Sequence, residues 1–268
     1  KYEGEHVTAD GFSYDVNSMY PWIYSSKPLP RSKARKIFVY DNKDSRSVQE
    51  VIDEEYDGTG DDMFLMYIAN LKATARDHLV IPWLKMKTSD RKLDGDHIQS
   101  KHRNALHYER EYNGSAHITS VEYRELLNDY DVTFDHATVF ILERDVMLEN
   151  AFKKFCDYWM NIKMNTKDPA ERAVAKIMLN SVYGKLGQYT RKLMRYDFTL
   201  DEQTEVIDPT GTPRTSGYYN ANIAAAAFIT AYGRMEIKDV ANQYGHEHFG
   251  YTDTDSIHVL GHDVHMEI

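Results

Sequence analysis

The sequence predicts an α+β fold, in which an antiparallel sheet is backed by helices and a helical hairpin projects from it. Two observations lead to this prediction. Strand-like runs near both ends of the 268-residue chain carry Asp15 and Asp255, and we expect these two runs to meet in one sheet. Two consecutive helices in the middle of the chain are expected to form the hairpin, and the alanine-rich helix Ile223–Tyr244 follows them.

The predicted strands are runs in which residues alternate in polarity or are β-branched. Residues 31–62 are charged and weakly patterned, so no strand or helix is predicted there. Two polar stretches, Thr88–Gly114 and Asp197–Gly217, are predicted to be loops or hairpins, the first of them with a strand at Ala105–Glu109. In chain order the predicted strands are Phe12–Val16, Met63–Leu71, Leu79–Met86 (at a sheet edge because of Pro82), Val132–Leu142 and a strand–turn–strand over Phe249–Val259.

Capping signals define the predicted helices. Thr119 and Glu122 form a capping box, which starts one helix. The run Asp168-Pro169-Ala170-Glu171 supplies an N-cap, a proline at the first position and an acid at the third, and this helix is expected to stop at Gly184. The predicted helices are, in order, Asn17–Ser26, Ser120–Tyr130, Leu148–Met164, 169–183 and Ile223–Tyr244.

Composition narrows the class of protein only in part. The single cysteine, Cys156, excludes an intrachain disulfide and a cysteine-based zinc site, and it fits a reducing compartment. No apolar run is long enough to span a membrane. The formal net charge of −10 argues against a nucleic-acid binder, but a local basic cleft can coexist with an acidic surface, and acids that hold Mg²⁺ add to the deficit.

The most specific signal is the segment Tyr251-Thr252-Asp253-Thr254-Asp255-Ser256. Its two carboxylates lie two residues apart between short extended runs, and like charges this close raise each other's pKa unless a cation intervenes. Mg²⁺ is the natural partner because it prefers oxygen ligands. The same letters also suit a polar hairpin turn, since Asp and Thr are good turn formers.

Two further segments carry functional groups. In the first, Asp15 to Pro21, an acid ends a strand and the carbonyl of Val16 follows, so both could face the same metal pair as Asp255. In the second, Lys176, Asn180 and Tyr183 share one helix face, which presents a cation, an amide and an aromatic ring. An N-cap aspartate and a core tyrosine would explain the first segment without any function, and a solvated lysine with a core tyrosine would explain the second.

Together the three segments resemble motifs A, B and C of the family B DNA polymerases. Asp15–Pro21 is similar to motif A, with Met19 in place of the more usual leucine. Lys176–Gly184 is similar to motif B, and Tyr251–Ser256 is similar to motif C. Their order and their helix or strand settings also match. The short helix pair resembles the fingers of the protein-primed phage branch.

The resemblance implies a division of the chain into a palm and fingers, each with known roles. Thr230 and Arg234 are similar to a Thr-x-x-Gly-Arg segment that contacts the primer strand, and Gly184 of motif B is also implied to contact DNA. The implied divisions are a first palm part at 1–147 with an insertion at about 88–118, a fingers hairpin at 148–187, a second insertion at 188–222 and a second palm part at 223–268.

The resemblance also implies a role for each remaining site residue. Asp15 and Asp255 would hold two Mg²⁺ ions, with Mn²⁺ as a substitute, and the Val16 carbonyl would bind the nucleotide-side ion. Asp253 would be an auxiliary catalytic acid near the primer terminus, and Tyr20 would be a steric gate against a ribose. The triphosphate would be held by Lys163 and Lys176, and the pocket for the nascent base pair would be shaped by Asn180 and Tyr183.

The implied activity is template-directed nucleotidyl transfer from a deoxynucleoside triphosphate to a primer hydroxyl in viral DNA replication. Template and primer DNA are the implied partners, a terminal priming protein is a further one, no membrane is involved, and the compartment is the host-cell cytoplasm. The chain starts at Lys1 just before motif A and stops after motif C, so we expect an excised piece without the family's exonuclease and thumb.

Two other functions remain open from the sequence. A non-catalytic module would keep the fold and use its insertions to grip nucleic acid or a priming protein, and it would bind without metal-dependent extension. A nuclease-type phosphoryl-transfer enzyme would cleave strands, and it leaves Tyr20 and Tyr183 without a purpose.

Overall fold

The computed structural model describes residues 10–41, 43, 46–55, 63–87, 106–108, 110–187 and 222–261. Most of the first expected insertion and almost all of the second lie outside these residues, as does the polar stretch 197–217. The division into palm, fingers and insertions therefore stays a prediction. In the part of the chain that is described, no helix is both long and apolar enough to cross a lipid bilayer.

A three-stranded antiparallel sheet carries both predicted acids. Its strands are β1 (Gly11–Asp15), β10 (Ser256–Leu260) and β9 (Phe249–Asp253), in the order β1-β10-β9. The predicted first strand and the strand–turn–strand near the end of the chain are thus confirmed. The strands approach closely at Gly11, where a Cβ atom would lie 2.7 Å from the backbone oxygen of Val259.

A second, five-stranded antiparallel sheet is formed by strands that lie between residues 30 and 144. Its order is β2-β8-β3-β6, and β7 also pairs with β3. Alternate side chains such as Met66 and Val139 are buried in the main core, as expected for a sheet with one covered face. The strands are β2 (Pro30–Asp41), β3 (Met63–Ala75), β6 (Glu111–Thr119), β7 (Tyr130–Thr133) and β8 (His136–Arg144).

Two short helices accompany this sheet, α2 (Val48–Glu55) and α3 (Ser120–Asp129). The predicted capping box of α3 is confirmed. The Glu122 amide donates to Thr119 Oγ1 at 3.3 Å, and the Thr119 amide donates to Glu122 Oε2 at 2.9 Å. The predicted hairpin near residue 105 is also present, because β5 (Leu106–Tyr108) pairs with β4 (Lys85–Lys87).

The other four described helices are α1 (Met19–Ser26), α4 (Val146–Asn165), α5 (Pro169–Leu186) and α6 (Ile223–His248), and α6 packs against β9 and β10 of the first sheet. Helices α4 and α5 form the predicted hairpin, and the Asp168 carboxylate caps α5 by accepting from the Ala170 amide at 2.8 Å. The hairpin is tied to α1 by the buried Tyr24 hydroxyl, which donates to the Leu179 carbonyl at 3.1 Å.

Several predicted elements are wrong. Residues 31–62 contain β2 and α2, although no element was expected there. Residues 79–84 are not a strand, because the amides of Trp83 and Leu84 donate to the Tyr130 hydroxyl, and the Leu79 amide donates to the Arg76 carbonyl in a turn. The single strand expected at 132–142 is two strands, and residues 111–118 belong to β6 of the main sheet.

Gly184 does not end α5, which continues to Leu186 and is capped by Gly187. One exposed glycine inside a helix costs about 1 kcal/mol relative to alanine. Leu186, which is 9% exposed, packs into the core two residues further on, and its burial outweighs that cost.

Candidate active site

The two strand-borne acids converge. Asp15 ends β1 opposite Ser256, and Asp255 lies in the turn between β9 and β10. The Val16 amide donates to the Asp255 carbonyl at 2.8 Å, which fixes the turn against the end of β1. Both carboxylates line one cavity of about 380 Å³, so segments 240 positions apart in the chain meet at one point.

The closeness of the Asp15 and Asp255 carboxylates affects their electrostatics. Burial raises the pKa of the Asp255 carboxyl, and the nearby charges of Asp15 and Asp253 raise it further, while Lys176 acts in the opposite direction. A cation between the two carboxylates would relieve this repulsion.

The backbone is strained at both acidic segments. Among the described residues, Ser18, Asn70 and Thr254 are the non-glycine residues with positive φ, at 58°, 53° and 55°. Ser18 precedes α1, and Thr254 separates Asp253 from Asp255. Such left-handed conformations are costly for residues with a side chain, and they cluster where a site over-determines the backbone. The geometry of the two acids is therefore held in place at a cost in stability.

The cavity beside the acids brings together the three sequence segments that were singled out. It joins the ends of β1 and α1 to the facing sides of α4 and α5. Of the residues predicted to act in catalysis or to bind nucleotide, seven line it: Asp15, Tyr20, Lys163, Lys176, Asn180, Tyr183 and Asp255.

The cations of the cavity come from the helical hairpin. Lys163 on α4 donates to Ser18 Oγ at 2.7 Å and lies 3.4 Å from Asn17 Oδ1, so it already bridges the hairpin to the segment that follows β1. Lys176 on α5 is exposed beside the acids. Two ammonium groups near two carboxylates create a site that suits a bound anion carrying its own metal ion.

Two tyrosines close the cavity on another side. The rings of Tyr20 and Tyr183 stack with their centroids 4.7 Å apart and an angle of 14° between their planes. Burial raises the pKa of the Tyr20 hydroxyl, and Tyr183 and Asp255 raise it further, so the hydroxyl stays protonated at neutral pH. The pair offers a flat surface of the kind on which a base or sugar packs.

A second cavity, of about 570 Å³, lies on the other side of this tyrosine pair. Tyr20 and Tyr183 line both cavities, and Asp253, Thr230 and Arg234 line the second one only. Gly184 is exposed on α5 and is among the lining residues of neither. Asp253 thus lines a different cavity from Asp15 and Asp255, although its charge still acts on the Asp255 carboxyl.

Arg234 is anchored by an acid that the sequence did not point to. Its Nε donates to Glu122 Oε1 at 3.1 Å, and its Nη2 donates to the same oxygen. Glu122 was predicted only as the capping-box residue of α3, and it serves both purposes. Its second partner is 112 positions away in the chain, so no local signal could have shown it.

Comparison with known proteins decides the family. A family model described as DNA polymerase type B, organellar and viral, matches residues 1–262. The chain belongs to this family of DNA polymerases.

Similar proteins and structures come from phages. The DNA polymerase of Streptococcus phage Cp-1 is 27% identical over 262 residues, which cover 93% of this chain and 39% of the relative. The DNA polymerase of Bacillus phage phi29 is 26% identical over 271 residues and covers 97% of this chain and 40% of its own. This family B chain therefore spans about two fifths of the length of the curated relatives it matches.

Solved structures support the fold. A structure titled phi29 DNA polymerase complexed with primer-template DNA and incoming nucleotide substrates matches with a TM-score of 0.61. The identity is 22%, and the match covers 96% of this chain and 40% of that one. The α+β fold with its antiparallel sheets is thus confirmed for this family B chain.

The oxygen donors of the two acids fit a hard divalent cation whose coordination sphere is completed by other ligands. No group of three His, Cys, Asp or Glu side chains within the described residues is arranged to hold a metal ion. Asp15 and Asp255 supply oxygen donors only, which suits Mg²⁺, an ion commonly bound through one or two carboxylates with substrate phosphates completing its sphere. Family B polymerases use divalent metals, and the pair in this chain is compatible with that use.

Proposed function

We propose that this chain is the palm and fingers core of a template-directed DNA polymerase, which transfers a nucleotidyl group from a deoxynucleoside triphosphate to a primer hydroxyl. One observation carries the proposal: a single cavity of about 380 Å³ gathers carboxylates, ammonium groups and aromatic rings from three distant segments. Binding of a triphosphate needs the cations, its metal ions need the carboxylates, and its base and sugar need a flat apolar surface.

The metal site would consist of the Asp15 and Asp255 carboxylates and the Val16 carbonyl. These oxygens suit two Mg²⁺ ions, and Mn²⁺ fits the same donors. When bound, the ions would lower the pKa of the attacking hydroxyl and stabilise charge on the departing pyrophosphate. Asp253, in the neighbouring cavity, would be an auxiliary acid beside the primer terminus.

The residues of the chain itself would mainly position the reactants. Lys163 and Lys176 would hold the triphosphate, and the hydrogen bond of Lys163 to Ser18 would align α4 with the acids. Asn180 and Tyr183 would shape the pocket for the nascent base pair. Catalysis would therefore rest on orientation and charge neutralisation, as is typical of phosphoryl transfer.

The second cavity would receive the primer strand. Thr230 and Arg234 line it, and a primer phosphate would share the Arg234 guanidinium with Glu122. Gly184, which is exposed on α5 and has nothing within 4 Å of where a Cβ would be, would leave room for the template strand. The wider proposal adds a terminal priming protein as partner, viral DNA replication as the process, and the host-cell cytoplasm as its place.

Primer extension with Mg²⁺ tests the proposed function. The natural full-length protein should lengthen a primer paired with a template, and removal of the divalent ion with EDTA should stop it. Products that become shorter would instead favour a nuclease. Binding of primer–template without any metal-dependent extension would favour a non-catalytic module.

Replacement of Tyr20 by valine is expected to admit ribonucleotides. The ring of Tyr20 would lie under the sugar, where its removal opens space for a 2′-hydroxyl. We expect the ratio of ribonucleotide to deoxynucleotide incorporation to rise about 100-fold, the size of effect that a change of pocket shape produces. Single-nucleotide incorporation kinetics measure this ratio, with Tyr158→Val on the exposed side of α4 as the control. An unchanged sugar preference would count against the gate.

Replacement of Lys176 by methionine is expected to weaken nucleotide binding. Methionine keeps an unbranched apolar side chain of similar length but removes the charge beside the acids. We expect KM for the deoxynucleoside triphosphate to rise by at least about tenfold, which corresponds to one lost charge-assisted contact of about 1.5 kcal/mol. Lys72→Met, on the exposed side of β3, is the matched control. A KM equal to that of the control would remove Lys176 from the triphosphate site.

A further inference from the structure

An irregular segment that was wrongly predicted as a strand contributes to the second cavity. Ile81 and Pro82 line this cavity together with Asp253 and the turn residue Thr254. Both are half-buried, while Trp83 behind them is only 4% exposed. An apolar surface therefore faces the space in which the proposed function seats the end of the primer.

The segment is fixed from several directions, although it has no regular secondary structure. On its first side, the Val80 amide donates to Asn242 Oδ1 of α6 at 2.9 Å. On its second side, the amides of Trp83 and Leu84 donate to the Tyr130 hydroxyl at 2.8 and 3.2 Å. These bonds turn the amides inward and hold the backbone in place.

The Trp83 ring adds a further anchor. Its Nε1 donates to Asp129 Oδ2 at 2.8 Å, and the same oxygen lies 3.2 Å from the ammonium group of Lys238 on α6. Because Lys238 and Asp129 are each only 3% exposed, this ion pair is shielded from water and sets the position of the indole. The wall formed by Ile81 and Pro82 is therefore rigid.

The apolar chemistry of this wall indicates which feature of a primer end it can distinguish. Aliphatic side chains cannot read base edges by hydrogen bonding, so contact with them is independent of sequence. A rigid apolar surface does discriminate by shape, and a small change in such a surface shifts discrimination markedly. A correctly paired primer end has the same width for every base pair, whereas a mispair displaces the sugar of the terminal nucleotide.

We propose that Ile81 and Pro82 form a shape gauge for the terminal base pair of the primer, and that Asn242 is a positioning residue for this gauge. The proposal rests on the proposed function, because it assigns the second cavity to the primer end. It adds a specificity element outside the three motif segments.

The test compares paired and mispaired primer ends in the natural full-length protein with Ile81→Ala. Extension of a paired end should change by less than about threefold, while extension of a mispaired end should rise about tenfold. The preference in equilibrium binding for a paired over a mispaired primer–template, measured by fluorescence anisotropy, should fall by a similar factor. Ile37→Ala, the same deletion at a side chain that is 58% exposed on β2, should leave both ratios unchanged.

A second variant separates positioning from a general loss of stability. Asn242→Ala removes the acceptor of the Val80 amide but does not line the cavity. It should shift both ratios in the same direction as Ile81→Ala, by less, and at a temperature well below its Tm. Ratios that stay within twofold of the wild type in both variants would overturn the proposal. If no protein extends even a paired primer, the proposed function fails, and the binding ratio still decides on the gauge.

Discussion

Replacement of Asp255 by asparagine is expected to lower the rate of single-nucleotide incorporation about 1,000-fold, because it removes one of two anionic oxygen donors where metal ions would bind. Asparagine keeps the size of the side chain. The backbone bond from the Val16 amide to the Asp255 carbonyl is unaffected by the change. The loss should therefore lie in the chemical step, and binding of primer–template in the absence of metal should be retained.

A stability measurement makes this prediction sharper. In the metal-free protein, burial raises the pKa of the Asp255 carboxyl most, and repulsion by Asp15 and Asp253 raises it further, so the charged carboxylate is unfavourable there. The asparagine variant should thus unfold in EDTA at a temperature equal to or above that of the wild type. Loss of activity without loss of stability separates a catalytic role from a structural one.

Asp10→Asn is the matched control for Asp255→Asn. Asp10 is exposed and lies immediately before β1, and its backbone oxygen accepts from the Gly261 amide, which the substitution does not alter. Its incorporation rate should equal that of the wild type. An Asp255→Asn rate within about tenfold of the wild type would contradict a metal-binding role for this carboxylate.

Local patterns in the sequence predict most of the residues of the candidate site. Asp15 ends β1 and Asp255 lies in the turn just before β10, and a strand next to a turn leaves a signal in a few consecutive residues. The helix that bears Lys176 was recognised by its cap, which is equally local. Only the family resemblance predicts that these segments meet in space, because nothing in a single short segment shows which other segment it will contact.

The errors arose where distant partners replace local ones. Strand β2 lies at the edge of its sheet in the described part and most of its residues are exposed, so it tolerates charged residues such as Arg31 and Lys33 that hide its pattern. Residues 79–84 look like a strand because they are apolar, yet the Val80 amide donates to the Asn242 side chain and the Trp83 amide donates to the Tyr130 hydroxyl. Neither partner can be identified from the segment itself.

Lys238 and Asp129 form a buried ion pair between residues that are distant in the sequence, and we expect this pair to contribute strongly to stability. Replacement of Lys238 by methionine should lower the free energy of unfolding by about 3–5 kcal/mol, because it leaves a buried carboxylate without its cation. Both side chains are 3% exposed and lie 3.2 Å apart. The Lys238 ammonium also contacts Glu125 and Asp239, so three carboxylates share one charge.

Urea unfolding followed by circular dichroism measures the change, and an exposed pair supplies the control. Lys153 and Asp157 are both 63% exposed and lie one helical turn apart on α4. Because water screens such a pair, Lys153→Met should cost less than about 0.5 kcal/mol. A loss of under about 1 kcal/mol for Lys238→Met would mean that water reaches the pair in solution and screens its charges.

The pH dependence of the same variant provides an independent check on the cause. Burial alone would lower the pKa of Lys238, but its bonds to Glu125, Asp239 and Asp129 outweigh burial, and the pKa is raised above 10.5. A raised lysine pKa stabilises the folded state fully below the unfolded value and ceases to do so as the pH passes the folded value. The difference in unfolding free energy between wild type and Lys238→Met should therefore be constant from neutral pH to about 10 and shrink only above that. A difference that already shrinks near neutral pH would assign the effect to another titrating group, and one that stays constant even well above pH 10 would assign it to lost packing. A difference that shrinks only above pH 10 would show that a single buried charge holds α6 against α3, and with them the wall beside the proposed primer end.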